Sequence, residues 1–257
     1  MQNLFPASLA ALFGLALGSF ATLLIWRFHY DEKGIVTGRS RCTKCGKTLG
    51  FWNLIPLFSW IFQRGRCAFC RAKISVYYPL TELLFSITFF IFVQKFYSNS
   101  GAWFLFASLF FILLLFVSDV RFLEVDKRIS FPALLIAFAW AFFRDLPVAE
   151  FLLGGVIGFL FYALQYFISR KKWVGAGDME LGALMGLLLG WQMLLPALFA
   201  AYILGLLTCL PFLLFGKMNR KTKVPLGAFL LPITLLFLYT ENNPFEFLSS
   251  FFSLLSF

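Results

Sequence analysis

The sequence predicts an all-α membrane protein: a polytopic bundle of about eight transmembrane helices with a small cytoplasmic four-cysteine zinc-binding loop. Three observations predict it. Apolar residues make up 61% of the 257 residues and charged residues only 13%, against ~45–50% and ~25% in a soluble domain. The apolar residues gather into runs close to the ~20 residues that carry a helix across a bilayer, without the alternating polar positions of a membrane barrel. The basic residues sit almost wholly between those runs.

The first run, Leu4 to Trp26, has no basic segment before it and no Ala-x-Ala exit, so it reads as a retained first span rather than a cleaved signal. Further spans are expected near residues 78–95, 102–118, 130–143, 149–168, 181–195, 197–215 and 226–240. The last stretch, Asn242 to Phe257, is apolar with serine interruptions, and either lies in the interface or extends the final span. The expected organisation is a span over residues 1–28, a soluble loop over 29–77 and a multi-span segment over 78–257.

Charge sets the orientation. Twenty of the 22 Lys and Arg residues fall in alternate loops, among them Arg39, Arg66, Arg128 and Lys171, leaving Lys95 and Arg144 for the other side. Basic loops stay in the cytoplasm, which places residues 29–77 there and both termini opposite. The net charge of +10 is thereby assigned to topology and to the lipid bilayer as partner, not to nucleic acid.

Two groups of residues carry chemistry. Cys42-Thr-Lys-Cys45 and Cys67-Ala-Phe-Cys70 are paired CxxC units, a spacing that brings four thiolates within tetrahedral reach of one Zn²⁺. Gly46 and Arg71, which follow the pairs, suit the tight turns of such knuckles. With four sulfurs the ion has no open position, so the zinc is expected to be structural. A reducing compartment disfavours the rival reading of two disulfides. The second group is acids at the ends of apolar runs, where a carboxylate is costly and a functional role is the default. Asp119 closes the third run in Val-Ser-Asp-Val-Arg, and Asp178 stands in Gly175-Ala-Gly177-Asp178, just before the sixth. The charge argument puts both at one membrane face. Two adjacent carboxylates share a proton, and the ionised one can activate water for attack on an amide. Gly175 and Gly177 would let backbone approach a substrate strand. The plain alternative is that both acids face water or pair with Arg121 or Arg170. Glu82, one turn inside the second span, either hydrogen-bonds into the bundle or lines a polar site. His29 is the sole histidine, and HExxH and GxxxxGK[ST] patterns are absent, which removes the signatures of zinc proteases and NTPases.

These segments resemble the type IV prepilin peptidase family through most of the chain. Gly18-Ser-Phe-Ala-Thr-Leu-Leu-Ile-Trp-Arg27 is similar to its GSFxNVxIxR segment. The order Arg39-Ser-Arg-Cys42, Asn53-Leu-Ile-Pro, Arg64-Gly-Arg-Cys67 and Tyr78-Pro-Leu-Thr-Glu82 matches its four-cysteine loop and YPLxE helix. Gly175-Ala-Gly-Asp178 with Gly182, Gly186 and Gly190 resembles its GxGD helix, and Lys223-Val-Pro-Leu-Gly-Ala-Phe229 its late PxGPF segment.

The resemblance implies a bifunctional enzyme of the bacterial inner membrane acting on prepilin and pseudopilin precursors. It would cut the basic leader at the cytoplasmic face and methylate the new amino terminus with S-adenosylmethionine. Asp119 and Asp178 would be the aspartyl pair, and the cysteine loop would serve methyl transfer. Thr22 stands where the family has Asn, Asp126 offers a competing carboxylate, and Glu180 replaces a basic residue beside the second aspartate. A GxGD intramembrane protease of another substrate class and a non-enzymatic zinc-knuckle assembly module are the alternative readings.

Overall fold

A backbone in lipid must satisfy its own hydrogen bonds, and a helix does so within one segment. The computed structural model of the protein is accordingly helical. It describes residues 4–31, 38–99, 101–144, 147–215 and 222–240; the stretch Asn242 to Phe257 lies outside them. In chain order the helices are α1 (Leu4–His29), α2 (Phe58–Phe62), α3 (Tyr77–Phe96), α4 (Ala102–Phe122), α5 (Lys127–Ala141), α6 (Val148–Ile168), α7 (Ala176–Leu189), α8 (Trp191–Leu214) and α9 (Gly227–Thr240). Among the described residues, α1, α3, α4, α6 and α8 are long and apolar enough to cross a membrane. The other three expected spans coincide with α5, α7 and α9, which have 15, 14 and 14 residues. The expected count of eight therefore stands at five by length and composition.

The chain divides into two compact units, Met1–Ala102 and Trp103–Phe257. In the first, α3 packs along α1. A Cβ on Gly14 would stand 2.8 Å from the Phe85 carbonyl oxygen, and one on Gly18 would stand 2.7 Å from the Glu82 Cα. Small residues allow this approach, and dispersion between the closely packed backbones holds helices together in lipid. The stretch between the two helices carries both CxxC pairs and α2.

In the second unit α7 is the central element, packed by α5, α6, α8 and α9. Gly154 and Gly158 of α6 lie against the backbone of Gly186 and Gly182 of α7. The break between α7 and α8 falls at Gly190, not near Pro196 as the span boundaries suggested. Gly190 takes φ +77°, which ends a helix without Cβ strain, whereas Pro196 is carried inside α8. α5 begins earlier than expected because Asp126 caps it, its carboxylate accepting from the Arg128 N–H at 2.8 Å.

Candidate active site and metal centre

The two CxxC pairs fold as copies of one knuckle. The Cys42 carbonyl accepts from Gly46 N–H at 2.9 Å, and the Cys67 carbonyl from Arg71 N–H at 3.0 Å. Cys42 N–H donates to Lys47 O at 3.0 Å, and Cys67 N–H to Ala72 O at 2.8 Å. Gly46 and Arg71 occupy the same left-handed position, φ +69° and +59°, as their places in the sequence implied. The four sulfurs lie within 4.8 Å of one another, and Cys42 and Cys70 are 3.9 Å apart. A tetrahedral ion with ~2.3 Å bonds sets its sulfurs about 3.8 Å apart, so the geometry fits a metal.

The electrostatics fit too. The backbone N–H groups of Cys45 and then Lys44 hold the Cys42 thiol down at about 6. The Ala72 amide also favours a thiolate at Cys70, yet desolvation and the neighbouring sulfurs push it up to about 11. The thiolate forms readily at Cys42 and is resisted at Cys70, until a cation neutralises the cluster.

Glu82 belongs to this first unit. It is buried and accepts from Leu57 N–H at 2.7 Å. That hydrogen bond anchors the loop to α3.

In the second unit, three helix ends converge around Asp119. The acid lies in the last turn of α4 and is 6% exposed. Its carbonyl accepts from Leu123 N–H at 2.8 Å, and Leu123 turns the chain out of the helix at φ +56°. Its carboxylate Oδ2 accepts from Ala228 N–H, at the start of α9, at 3.2 Å. A Cβ on Gly227 would meet that oxygen at 2.7 Å and the Leu181 Cδ1 of α7 at 2.9 Å, so a larger residue there would push one of the two side chains aside. Asp178, in the first turn of α7, bends back so that its Oδ2 accepts from Gly175 N–H at 2.6 Å. The two carboxylates are close enough for each other's charge to matter.

The remaining expected site residues take internal roles. A Cβ on Gly177 would stand 2.5 Å from the Val125 Cβ, so its close approach is to the turn between α4 and α5. Gly175 caps α7 and is exposed. Asp126 is taken up by its cap and by Arg128, whose Nη2 is 2.6 Å from Oδ2. Glu180 accepts a hydrogen bond from the buried Ser130 hydroxyl of α5. Sequence reasoning missed Ser130, Gly227 and Ala228 as neighbours of the acids. The Lys223 to Phe229 segment was the only signal for the last two.

A family profile described as Bacterial Peptidase A24 N-terminal domain matches residues 12–96, and one described as Type IV leader peptidase family matches residues 103–210. A prepilin leader peptidase/N-methyltransferase of Bacillus subtilis is 33% identical over 224 residues, covering 85% of this chain and 88% of that protein. The chain belongs to the type IV leader peptidase family. Its relatives include the prepilin leader peptidase/N-methyltransferases of Myxococcus xanthus and Vibrio cholerae. The first is 33% identical over 82% of this chain and 64% of that protein. The second is 29% identical over 85% of this chain and 90% of that protein. No solved structure matches. The boundary between the two family profiles falls at the boundary between the two compact units.

Proposed function

We propose that this chain is a membrane aspartyl endopeptidase that removes the leader from prepilins and pseudopilins and methylates the amino terminus it exposes. The observation that carries the reading is that Asp119, in the last turn of α4, and Asp178, in the first turn of α7, are near enough for one charge to act on the other, in a chain of this family. One oxygen of each carboxylate is held by a backbone N–H, so each has a second oxygen for chemistry. The pair shares one proton. The ionised member takes a proton from a water, whose oxygen attacks the scissile carbonyl carbon. The protonated member donates to that carbonyl oxygen; on collapse of the tetrahedral species the first member passes the water's proton to the nitrogen, the second takes one back from the diol, and the amine leaves.

The four cysteines hold a structural Zn²⁺, since all four positions around it are sulfur, and this loop serves methyl transfer. S-adenosylmethionine would supply the methyl group when bound. Residues 78–257 make up the peptidase segment. The chain resides in a bacterial inner membrane, with α5, α7 and α9 as short spans and the carboxylates at the cytoplasmic face. The skew of basic residues supports that orientation.

The test is mass spectrometry of a prepilin co-expressed with this chain, wild type against Asp178→Asn. A leaderless, singly methylated pilin from wild type and full-length precursor from the variant support the reading. Cleavage by the variant at the wild-type rate removes Asp178 from the chemistry.

A further inference from the structure

Between α1 and α3, residues 38–76 carry eight Lys and Arg and no Asp or Glu. Large apolar side chains of a soluble unit normally turn inward, and Trp60 does. It packs under Gly65, and its indole N–H donates to Ile74 O at 3.4 Å. Phe51, Trp52 and Phe62 do the opposite, at 75%, 79% and 81% exposure. They are not scattered. In α2, Phe58, Ile61 and Phe62 stand at i, i+3 and i+4, and all three are exposed, so the apolar stripe of that helix faces away from the unit. The 3₁₀ turn Phe51–Asn53 packs beside α2. Gln63 Nε2 donates to Asn53 Oδ1 at 3.3 Å, tying the ends of the two elements together.

The depth of this face is set by a single bond. Leu57, immediately before α2, donates its N–H to Glu82 at 2.7 Å, and Glu82 is in the second turn of α3, a helix able to span the membrane. α2 is thereby tied to the start of α3. Basic residues are close in the chain: Arg64 and Arg66 follow α2, and elsewhere in the loop the Lys47 Nζ stands 5.1 Å from the Phe69 ring centre. Topology rules account for basic residues in such a loop, but not for outward-facing aromatic rings. A second copy of residues 38–76 would bring eight more cations and no acid. An anionic surface is the complement.

We propose that the outward face of the 3₁₀ turn and α2 lies in the membrane interface, with its rings at headgroup level and the surrounding Lys and Arg on anionic lipid headgroups. Aromatic residues favour that level, and a basic amphipathic segment binds anionic lipid by apolar burial and charge together. The metal cluster is then held against the bilayer from which the substrate emerges.

The test uses the full chain in nanodiscs of phosphatidylcholine, with and without phosphatidylglycerol, containing lipids brominated at shallow or deep acyl positions. Subtracting the emission of a Trp52→Phe variant isolates the Trp52 signal. Shallow bromines should quench it more than deep ones, more strongly with phosphatidylglycerol, and less as salt rises. An Ile61→Ser/Phe62→Ser variant should reduce that quenching about twofold or more, with metal content and prepilin cleavage retained. Trp52 emission indifferent to bromine at both depths overturns the proposal. Equal quenching with and without phosphatidylglycerol overturns its headgroup half.

Discussion

In the first unit, two copies of one knuckle bring four sulfurs together across a sequence separation of 28 at Cys42 and Cys70. In the second, Asp119 takes its backbone donor from Ala228, at a separation of 109. The sulfurs are placed by short turns whose hydrogen bonds repeat residue for residue. The carboxylates are placed by where three helices happen to end. A metal centre of this kind depends on its own few residues, whereas the acid pair depends on the packing of the whole second unit. The two regions should therefore fail separately, and the following outcomes break or sharpen that contrast.

The largest effect is expected from Asp119→Asn or Asp178→Asn. General acid–base catalysis contributes about 10²- to 10⁴-fold, and prepilin cleavage should fall by at least that much. Methylation of a pilin already lacking its leader should continue, as read by mass spectrometry. Loss of both activities would break the contrast. Its mirror image is Cys67→Ser, which removes the most buried of the four sulfurs. Metal content by elemental analysis should drop from one ion per chain to none. Methyl transfer should go with it, because zinc binding on the order of 10 kcal/mol underlies the folding of such small units. Cleavage should persist.

Gly227→Ala sharpens the contrast within the second unit. Its Cβ would press on Asp119 Oδ2 at 2.7 Å, and overpacking of this sort costs about 1–3 kcal/mol. Cleavage should slow by roughly tenfold or more while metal content is unchanged. Normal cleavage would mean that α9 does not set the position of Asp119. The smallest effect belongs to Asp126→Ala, which deletes a cap worth about 1 kcal/mol. Burial opposes ionisation of Asp126, but the Arg128 side chain and N–H outweigh it and hold the carboxyl below its usual range. Its folded value is depressed, so its stabilisation is present above the unfolded value of ~3.9 and is lost as pH falls through the lower folded one. Thermal unfolding in detergent should show the variant less stable at neutral pH, with the difference closing in acid. Cleavage should be unaffected.

The legible parts of the molecule were those with short-range causes. The four-cysteine cluster could be read from the CxxC spacing, and the turns at Gly46 and Arg71 followed from it. The long spans could be read from apolar length alone. The break at Gly190 could not: the expected span bounds put it near residue 196, and only the backbone conformation revealed that Gly190 ends the helix. The contact of Gly177 with Val125 was not legible either, because it joins the start of α7 to the turn before α5. Asp126 looked like a rival to Asp119 until its bonds to Arg128 accounted for it.

By itself, the sequence determined that the chain lives in a membrane, which of its helices are long enough to cross it, and that four thiols meet. Lipid leaves the backbone no other solution, and closely spaced cysteines have little freedom to stay apart. The tertiary structure alone decided that Ala228 holds Asp119, that Gly227 separates it from Leu181, and that Glu82 anchors a loop. Those contacts join residues with no local relation, through helices whose mutual packing is set by many small side chains at once.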